Sequence, residues 1–195
     1  MAYIELLTDE QAPDATDLFD ADRAHRGYLP NYTRVFGHRP DVYRAWKALL
    51  QAVAGNMDTR RYELATLAAA RRLRSSYCML AHGKVLADRF MTDEDVAALA
   101  RSQPAESVDD VDRAVMDLAD KVAADATAVT REDIDRLRVH GLSDAEIADV
   151  VLASALRCFY SKTLDGLGVE PDAAYRELPP VLRDALTVGR PIEDA

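Results

Sequence analysis

Helix-start signals recur along this chain, and apolar residues follow them at helical spacing. Ser143 is followed three residues later by Glu146, and Thr92 by Asp95, which are the two positions of a helix capping box. Residues 40–55 place their large apolar side chains on one helical stripe, made of Val42, Trp46, Leu49, Leu50 and Val53. Long alternations of apolar and polar residues, which would indicate strands, do not occur in the sequence. The sequence therefore predicts an all-α fold.

The composition is that of an ordinary folded protein. Of 195 residues, 49% are hydrophobic and 30% are charged, which is typical of a globular chain. We expect one all-α domain over residues 1–195. Its N-terminal half spans residues 25–90 and its C-terminal half residues 108–170. The tail at 171–195 is predicted to form a short turn, a short helix and a loose end.

Charge and targeting signals narrow the classes of partner. The formal net charge is −10, which disfavours binding to a phosphate backbone, so no nucleic-acid partner is expected. The N-terminus lacks the basic start and apolar run of a signal peptide, and no apolar stretch approaches the roughly 20 residues of a membrane span. Two cysteines do not make a disulfide framework. These features favour a cytoplasmic protein with no membrane contact.

Three side chains suited to thiol chemistry lie close together in the sequence. Cys78 and His82 are four residues apart, so a helix places them on one face. In the first turn of a predicted helix, Cys78 would have its thiolate stabilised by the helix dipole, and His82 could accept the thiol proton. Glu63, on the preceding predicted helix, could orient that imidazole. The alternative is that Cys78 is a small buried hydrophobe.

The same segment has a counterpart later in the chain. Residues 63–83 align without a gap with residues 146–166, and seven of the 21 positions are identical. Cys158 then falls opposite Ser75, and Ser161 opposite Cys78. We expect a degenerate repeat of a helical hairpin, with the second copy acting as scaffold.

The motif and its flanks resemble a known family. Glu63, Ser75, Cys78 and His82 read E-x11-S-x2-C-x3-H. This is similar to the E-x11-C-x2-C-x3-H signature of the alkylhydroperoxidase D and carboxymuconolactone decarboxylase superfamily. The flanking segments, which resemble its peroxidase-related subgroup, are Gly27-Tyr-Leu-Pro-Asn31, His38-Arg-Pro40, Leu142-Ser-Asp-Ala-Glu-Ile147 and Leu164-Asp-Gly-Leu-Gly168. The resemblance covers about residues 25–175.

The resemblance implies a helical bundle built around a hairpin, in subunits that form dimers, trimers or hexamers. It implies that Cys78 is the reactive thiol of an antioxidant enzyme of the peroxidase or peroxiredoxin type, with His82 and Glu63 as its proton relay. Tyr77 is expected either to line the pocket or to pack as a core aromatic. The implied partners are an organic hydroperoxide and a thiol reductant. Neither a cofactor nor a metal is expected.

Ser75 departs from the family pattern, because a hydroxyl cannot form the disulfide of the two-cysteine cycle. Ser75 could still hydrogen-bond the Cys78 sulfur. The sulfenic acid formed at Cys78 would then be resolved by a small thiol or by Cys158, within or between subunits. Loss of peroxidase activity is a further option.

Two other functions remain open from the sequence. One is decarboxylase-like acid/base chemistry on a small lactone acid, with His82 and Glu63 moving protons and Arg74 binding the carboxylate. The other is a non-catalytic oligomeric relic of the fold. The pH dependence of Cys78 reactivity would separate an activated thiol from a relic.

Overall fold

The protein folds as a bundle of α-helices with short 3-10 turns, as described by a computed structural model for residues 2–194. No strand occurs among these residues, so the predicted all-α fold is confirmed. The α-helices are α1 (Thr16–Arg26), α2 (Asn31–Phe36), α3 (Pro40–Ala54), α4 (Thr59–Arg72), α5 (Ser76–Arg89), α6 (Asp93–Ala100), α7 (Asp110–Asp125), α8 (Arg131–Val139), α9 (Asp144–Gly166) and α10 (Pro180–Leu186).

Helix α4 lies at the centre of the bundle. Every residue from Tyr62 to Ala70 is buried, because α5, α7 and α9 pack around this helix. Several of these residues are alanines, whose small side chains let neighbouring helices approach closely. Glu63 is therefore carried by the most enclosed helix of the molecule.

The chain turns sharply between α4 and α5. Arg74 has a positive φ of 56°, a left-handed conformation that ends a right-handed helix. Ser75 then takes an extended conformation as the N-cap of α5. Cys78 is the third residue of that helix, which confirms its expected place in a first turn.

Helix α9 is continuous where the repeat hypothesis expects a hairpin. It begins at a complete capping box, in which Ser143 and Glu146 satisfy each other's backbone donors, and it runs for 23 residues. The residue aligned with the left-handed Arg74 is Arg157, which lies inside the helix. The second segment is therefore similar to the first in sequence but does not fold as a hairpin.

Two further elements depend on contacts between distant parts of the chain. The sequence gives no signal for α2, whose first backbone N–H, at Asn31, donates to the Asp172 carboxylate at 2.8 Å. The tail beyond α10 is not the loose end that was predicted. Its Gly189 N–H donates to Ser76 Oγ at 2.7 Å, and its Glu193 carboxylate accepts from the Asn31 side chain at 2.7 Å. The tail thus holds the start of α5, next to Cys78.

None of the helices in residues 2–194 has the length and apolar character needed to cross a bilayer.

Candidate active site

Cys78 lies in the wall of a cavity of about 450 Å³. Its side chain is buried, with 2% of the residue exposed. Glu63, His82 and Tyr77 line the same cavity. The structure therefore brings together the three residues of the predicted constellation and the tyrosine placed beside them.

Glu63 and His82 form a direct pair. Helices α4 and α5 fold back on each other, which puts the His82 Nδ1 2.6 Å from the Glu63 Oε2. An ionised carboxylate only accepts hydrogen bonds, so the imidazole Nδ1 carries the hydrogen. This leaves the Nε2 lone pair of His82 free to take a proton.

The surroundings favour the neutral form of His82. Burial lowers the pKa of His82 below its ordinary value of 6.5, and the positive charge of Arg157 lowers it further. The carboxylate of Glu63 acts in the opposite direction without cancelling these effects. A neutral imidazole at pH 7 is the form that can act as a base.

Two residues of α9, which the sequence did not single out, are the hydrogen-bond partners of the Cys78 sulfur. The Arg157 Nη1 lies 3.4 Å from Sγ, and the Ser161 hydroxyl lies 3.1 Å from it. Both belong to one helix face, since they are four residues apart. The alignment of the two repeat segments could have pointed to both residues. Arg157 is identical to Arg74 in that alignment, and Ser161 aligns with Cys78.

Arg157 is a buried cation without a carboxylate partner. Only 3% of it is exposed, and its other terminal nitrogen donates to the Tyr62 hydroxyl at 3.4 Å. No carboxylate of residues 2–194 forms an ion pair with it, and its Nε has no hydrogen-bond partner among them. Burial lowers the pKa of Arg157, but the facing Cys78 and Tyr62 raise it above its ordinary value. A buried cation of this kind is stabilised by an electron-rich partner, and the Cys78 sulfur is the group that its Nη1 contacts.

Ser75 is fully buried, and it does not form the hydrogen bond to the Cys78 sulfur that was considered for it. The partners of the Cys78 sulfur are Arg157 and Ser161, whereas the buried Ser75 hydroxyl has no hydrogen-bond partner among residues 2–194. Burial raises the pKa of Asp165, with a smaller opposing effect from the positive charge of Arg190. The serine that hydrogen-bonds the Cys78 sulfur is Ser161 and not Ser75.

Cys158 and Tyr77 occupy different surroundings. Cys158 is partly buried on α9, carries a free thiol and does not line the cavity. Burial raises the pKa of the Cys158 thiol, which disfavours its thiolate.

Tyr77 lines the cavity, and its hydroxyl donates to the Asp172 carboxylate at 2.5 Å. Burial, together with the charge of Asp172, raises the pKa of Tyr77 well above its ordinary value, so it stays protonated.

Arg74 does not lie in the cavity. Its Nε donates to the Val188 carbonyl at 3.3 Å, and the left-handed turn directs it to the C-terminal tail. The arginine beside Cys78 is Arg157, the residue aligned with Arg74 in the repeat. A carboxylate-binding role for Arg74 at this site is therefore wrong.

Within residues 2–194, no group of three or more His, Cys, Asp or Glu side chains is arranged to hold a metal ion. The arrangement offers a thiol with two donors at its sulfur and a carboxylate–imidazole pair in the same cavity. These are the types of group that nucleophilic thiol chemistry and general acid/base chemistry use.

A comparison with protein families gives a match to the part of the chain that carries Glu63, Cys78 and His82. Residues 40–121 match the sequence model of the carboxymuconolactone decarboxylase family. This match supports the predicted resemblance to the alkylhydroperoxidase D and carboxymuconolactone decarboxylase superfamily. The matched region includes Glu63, Cys78 and His82 and ends before α9, which supplies Arg157 and Ser161. No match is found among curated protein sequences.

Several solved structures share the fold of this chain. A peroxidase-related protein from Ralstonia eutropha JMP134, described as an alkylhydroperoxidase D core, is 22% identical with a TM-score of 0.81, over 89% of this chain and 94% of that one. A peroxidase-related protein from Silicibacter sp. TM1040 is 18% identical with a TM-score of 0.79, over 90% and 94%. A cysteine-to-alanine variant of the debrominase Bmp8, bound to 2,3,4-tribromopyrrole, is 17% identical with a TM-score of 0.77, over 95% and 100%. At these identities the likeness concerns the fold.

Proposed function

We propose that the protein is a thiol-dependent peroxidase that reduces organic hydroperoxides through Cys78. The observation that carries this proposal is the pair of donors, Arg157 and Ser161, at 3.4 and 3.1 Å from the Cys78 sulfur. A sulfur that accepts two hydrogen bonds, one of them from a cation, is stabilised most as a thiolate. The thiolate is the form that attacks a peroxide.

In the proposed reaction, the Cys78 thiolate attacks the terminal oxygen of the hydroperoxide. A sulfur–oxygen bond forms, the O–O bond breaks, and an alkoxide leaves. Neutral His82 accepts the thiol proton at Nε2 and then donates it to that alkoxide, which becomes an alcohol. Glu63 holds the imidazole through Nδ1 and stabilises its cationic form. The sulfur is oxidised to a sulfenic acid, and the peroxide is reduced.

The return step uses a small thiol reductant. One thiol attacks the sulfenic acid, which gives a mixed disulfide and water, and a second thiol releases Cys78 and leaves as a disulfide. A small reductant suits a sulfur that is only 2% exposed and that lies in a cavity wall. Cys158 is the second candidate for resolution, and a Cys78–Cys158 bridge in the products would identify it.

The test follows each thiol by peptide mass spectrometry after stoichiometric cumene hydroperoxide is added to reduced protein with a sulfenate trap. We expect rapid trapping at Cys78 and none at Cys158, together with turnover in the presence of a small thiol. Cys78→Ser should abolish turnover, whereas Cys158→Ser is the matched control and should retain it. Turnover that survives Cys78→Ser would contradict the proposal.

A decarboxylase-like reaction is the second candidate, and the family match together with the Glu63–His82 pair favours it. In that reaction Arg157 would take the carboxylate-binding role considered above for Arg74. Carbon dioxide release from a small carboxylactone, lost in His82→Gln but retained in Cys78→Ser, would support this candidate over the peroxidase. If neither reaction is observed, the third reading, a non-catalytic member of the fold, applies.

We further infer that the chain forms a homo-oligomer, as the resemblance implies, and that it acts in the cytoplasm, as its sequence features favour. The support for association is a group of exposed apolar side chains on α3 and α9, among them Leu49 and Phe159, which are 52% and 44% exposed.

A further inference from the structure

The cavity that holds Cys78 has aromatic walls. Six rings line it, those of Tyr32, Tyr43, Trp46, Tyr62, Tyr77 and Tyr160. They support one another through stacked and edge contacts: Trp46 and Tyr160 are stacked with centroids 4.3 Å apart, and Tyr32 meets Tyr77 edge-on at 5.6 Å. Such a frame leaves little freedom for rearrangement and presents ring faces and edges to a ligand. The volume of about 450 Å³ suits a molecule of one or two rings.

The cavity wall carries positive side chains that are not paired with carboxylates. Its two carboxylates are already engaged, since Asp22 pairs with Lys47 at 2.9 Å and Glu63 pairs with His82 at 2.6 Å. Two guanidinium groups of the wall, those of Arg26 and Arg157, form no ion pair with a carboxylate of residues 2–194.

The two guanidinium groups differ in position. Arg157 is buried beside the Cys78 sulfur, whereas Arg26 is exposed and stands near the Tyr32 hydroxyl on the solvent side. Both lower the pKa of His82, after burial as the main cause, so both positive charges reach into the cavity. A chain with a net charge of −10 thus keeps uncompensated positive charge at this cavity.

From these observations we propose that the cavity binds planar aromatic carboxylates, with the acid group on Arg26 and the ring between the aromatic walls. A guanidinium holds a carboxylate through two parallel hydrogen bonds, and it is weakly hydrated, so the pairing suits a partly enclosed mouth. Arg157 remains with the sulfur and is not needed for the acid group. The binding does not depend on the chemistry at Cys78 and goes beyond the proposed peroxidase function.

The test compares 2-naphthoate with 2-naphthamide, which has the same rings and no charge, by isothermal titration calorimetry of the reduced full-length protein. We expect the acid to bind at least about tenfold more tightly than the amide, as one charge-assisted contact would give. Occupancy of this cavity is checked in the same samples, since bound naphthoate should slow alkylation of Cys78 by iodoacetamide and leave Cys158 unaffected.

Arg26→Gln should remove the preference for the acid, and Arg131→Gln should leave it in place. Arg131 is also an exposed arginine and lies outside the cavity, and the two variants change the net charge alike. Equal affinity for acid and amide, failure of both to bind, or an equal loss in the two variants would each overturn the proposal. The assay contains no peroxide, so a chain without peroxidase activity can still pass it.

Discussion

Arg157 places a positive charge against the sulfur of Cys78 in the cavity wall. Its Nη1 is 3.4 Å from the Cys78 Sγ, in surroundings where little water can screen the interaction. We therefore expect Arg157→Met to slow iodoacetamide alkylation of Cys78 at pH 7 by about 10- to 100-fold, the loss of one hydrogen bond to a charged group. Arg157→Lys should retain part of the rate. The measurement is alkylation kinetics from pH 6 to 9, resolved by mass spectrometry.

Cys158 serves as an internal control in that experiment, because it lies outside the cavity on the same helix. The Arg157 charge also lowers the pKa of the adjacent Cys158, but burial and Lys162 shift that pKa more, so the alkylation rate of Cys158 should change less than that of Cys78 in either variant. A Cys78 pH profile that is the same in wild type and Arg157→Met would show that Arg157 only fills space.

The lowered pKa of His82 has a consequence for stability. In the folded protein, burial first and the Arg157 charge second resist protonation of His82, whereas the unfolded chain protonates it near 6.5. Below that pH the unfolded state binds more protons, so the free energy of unfolding falls as the pH falls. Urea denaturation between pH 7.5 and 5 should show a steeper loss for wild type than for His82→Gln. Parallel curves for the two proteins would contradict this assignment.

At the scale of single residues, the Glu63–His82 pair was a hypothesis from the sequence and from the resemblance, and it required the two predicted helices to fold back on each other. Spacing could not give the partners of Cys78. Arg157 and Ser161 come from α9, about 80 positions later, and only packing of α9 against α4 and α5 brings them to the sulfur. Ser75 was misjudged for a related reason, since a side chain at a helix N-cap need not follow the face of the helix it caps.

At the scale of elements, the turn between α4 and α5 and the C-terminal tail hold each other in place. A Cβ built on Gly189 would lie 2.1 Å from the Arg74 carbonyl oxygen, and a backbone atom cannot yield as a flexible side chain can. We expect Gly189→Ala to lower the free energy of unfolding by about 1–3 kcal/mol, the usual cost of overpacking. It should also reduce Cys78 reactivity, because Gly189 bonds Ser76 at the start of α5.

Gly166→Ala is the matched control for that substitution. Gly166 ends α9, and a Cβ added there meets no atom within 4 Å. Alanine favours helix over glycine by up to about 1 kcal/mol, so this variant should be neutral or more stable. Urea denaturation followed by circular dichroism measures both variants, and equal destabilisation would show that the contact with Arg74 does not restrict position 189.

The elements differ in how much of their structure is local. Helices α6, α8 and α9 begin at caps visible in the sequence, at Thr92, Thr130 and Ser143, and their starts were predictable. Helix α2 was not, because its first turn is completed by Asp172, 141 residues away. For α9 the sequence signals disagreed: the capping box at Ser143 favoured one long helix, whereas the repeat implied a break that in the first copy depends on the left-handed Arg74.

At the scale of the whole molecule, one apolar groove stands out on the surface. It is lined entirely by apolar residues of two adjoining helices, Val42, Ala45, Trp46, Leu49, Val53, Leu152, Ala155, Leu156 and Phe159. Single exposed apolar side chains are common, whereas a continuous patch rimmed by polar residues is typical of an interface. Trp46 also lines the cavity that holds Cys78, so a second copy seated here would border that cavity.

We therefore expect the protein to be a homo-oligomer that uses the α3–α9 groove, with a solution mass that is a multiple of 21.5 kDa. Because a buried carboxylate opposite an apolar surface is strongly unfavourable, Leu49→Asp combined with Phe159→Asp should give monomers in multi-angle light scattering. Val139→Asp is the control, since Val139 is 85% exposed on α8, away from the groove. Circular dichroism would verify that each variant is folded. A monomeric wild type, or dissociation caused equally by Val139→Asp, would contradict association through this groove.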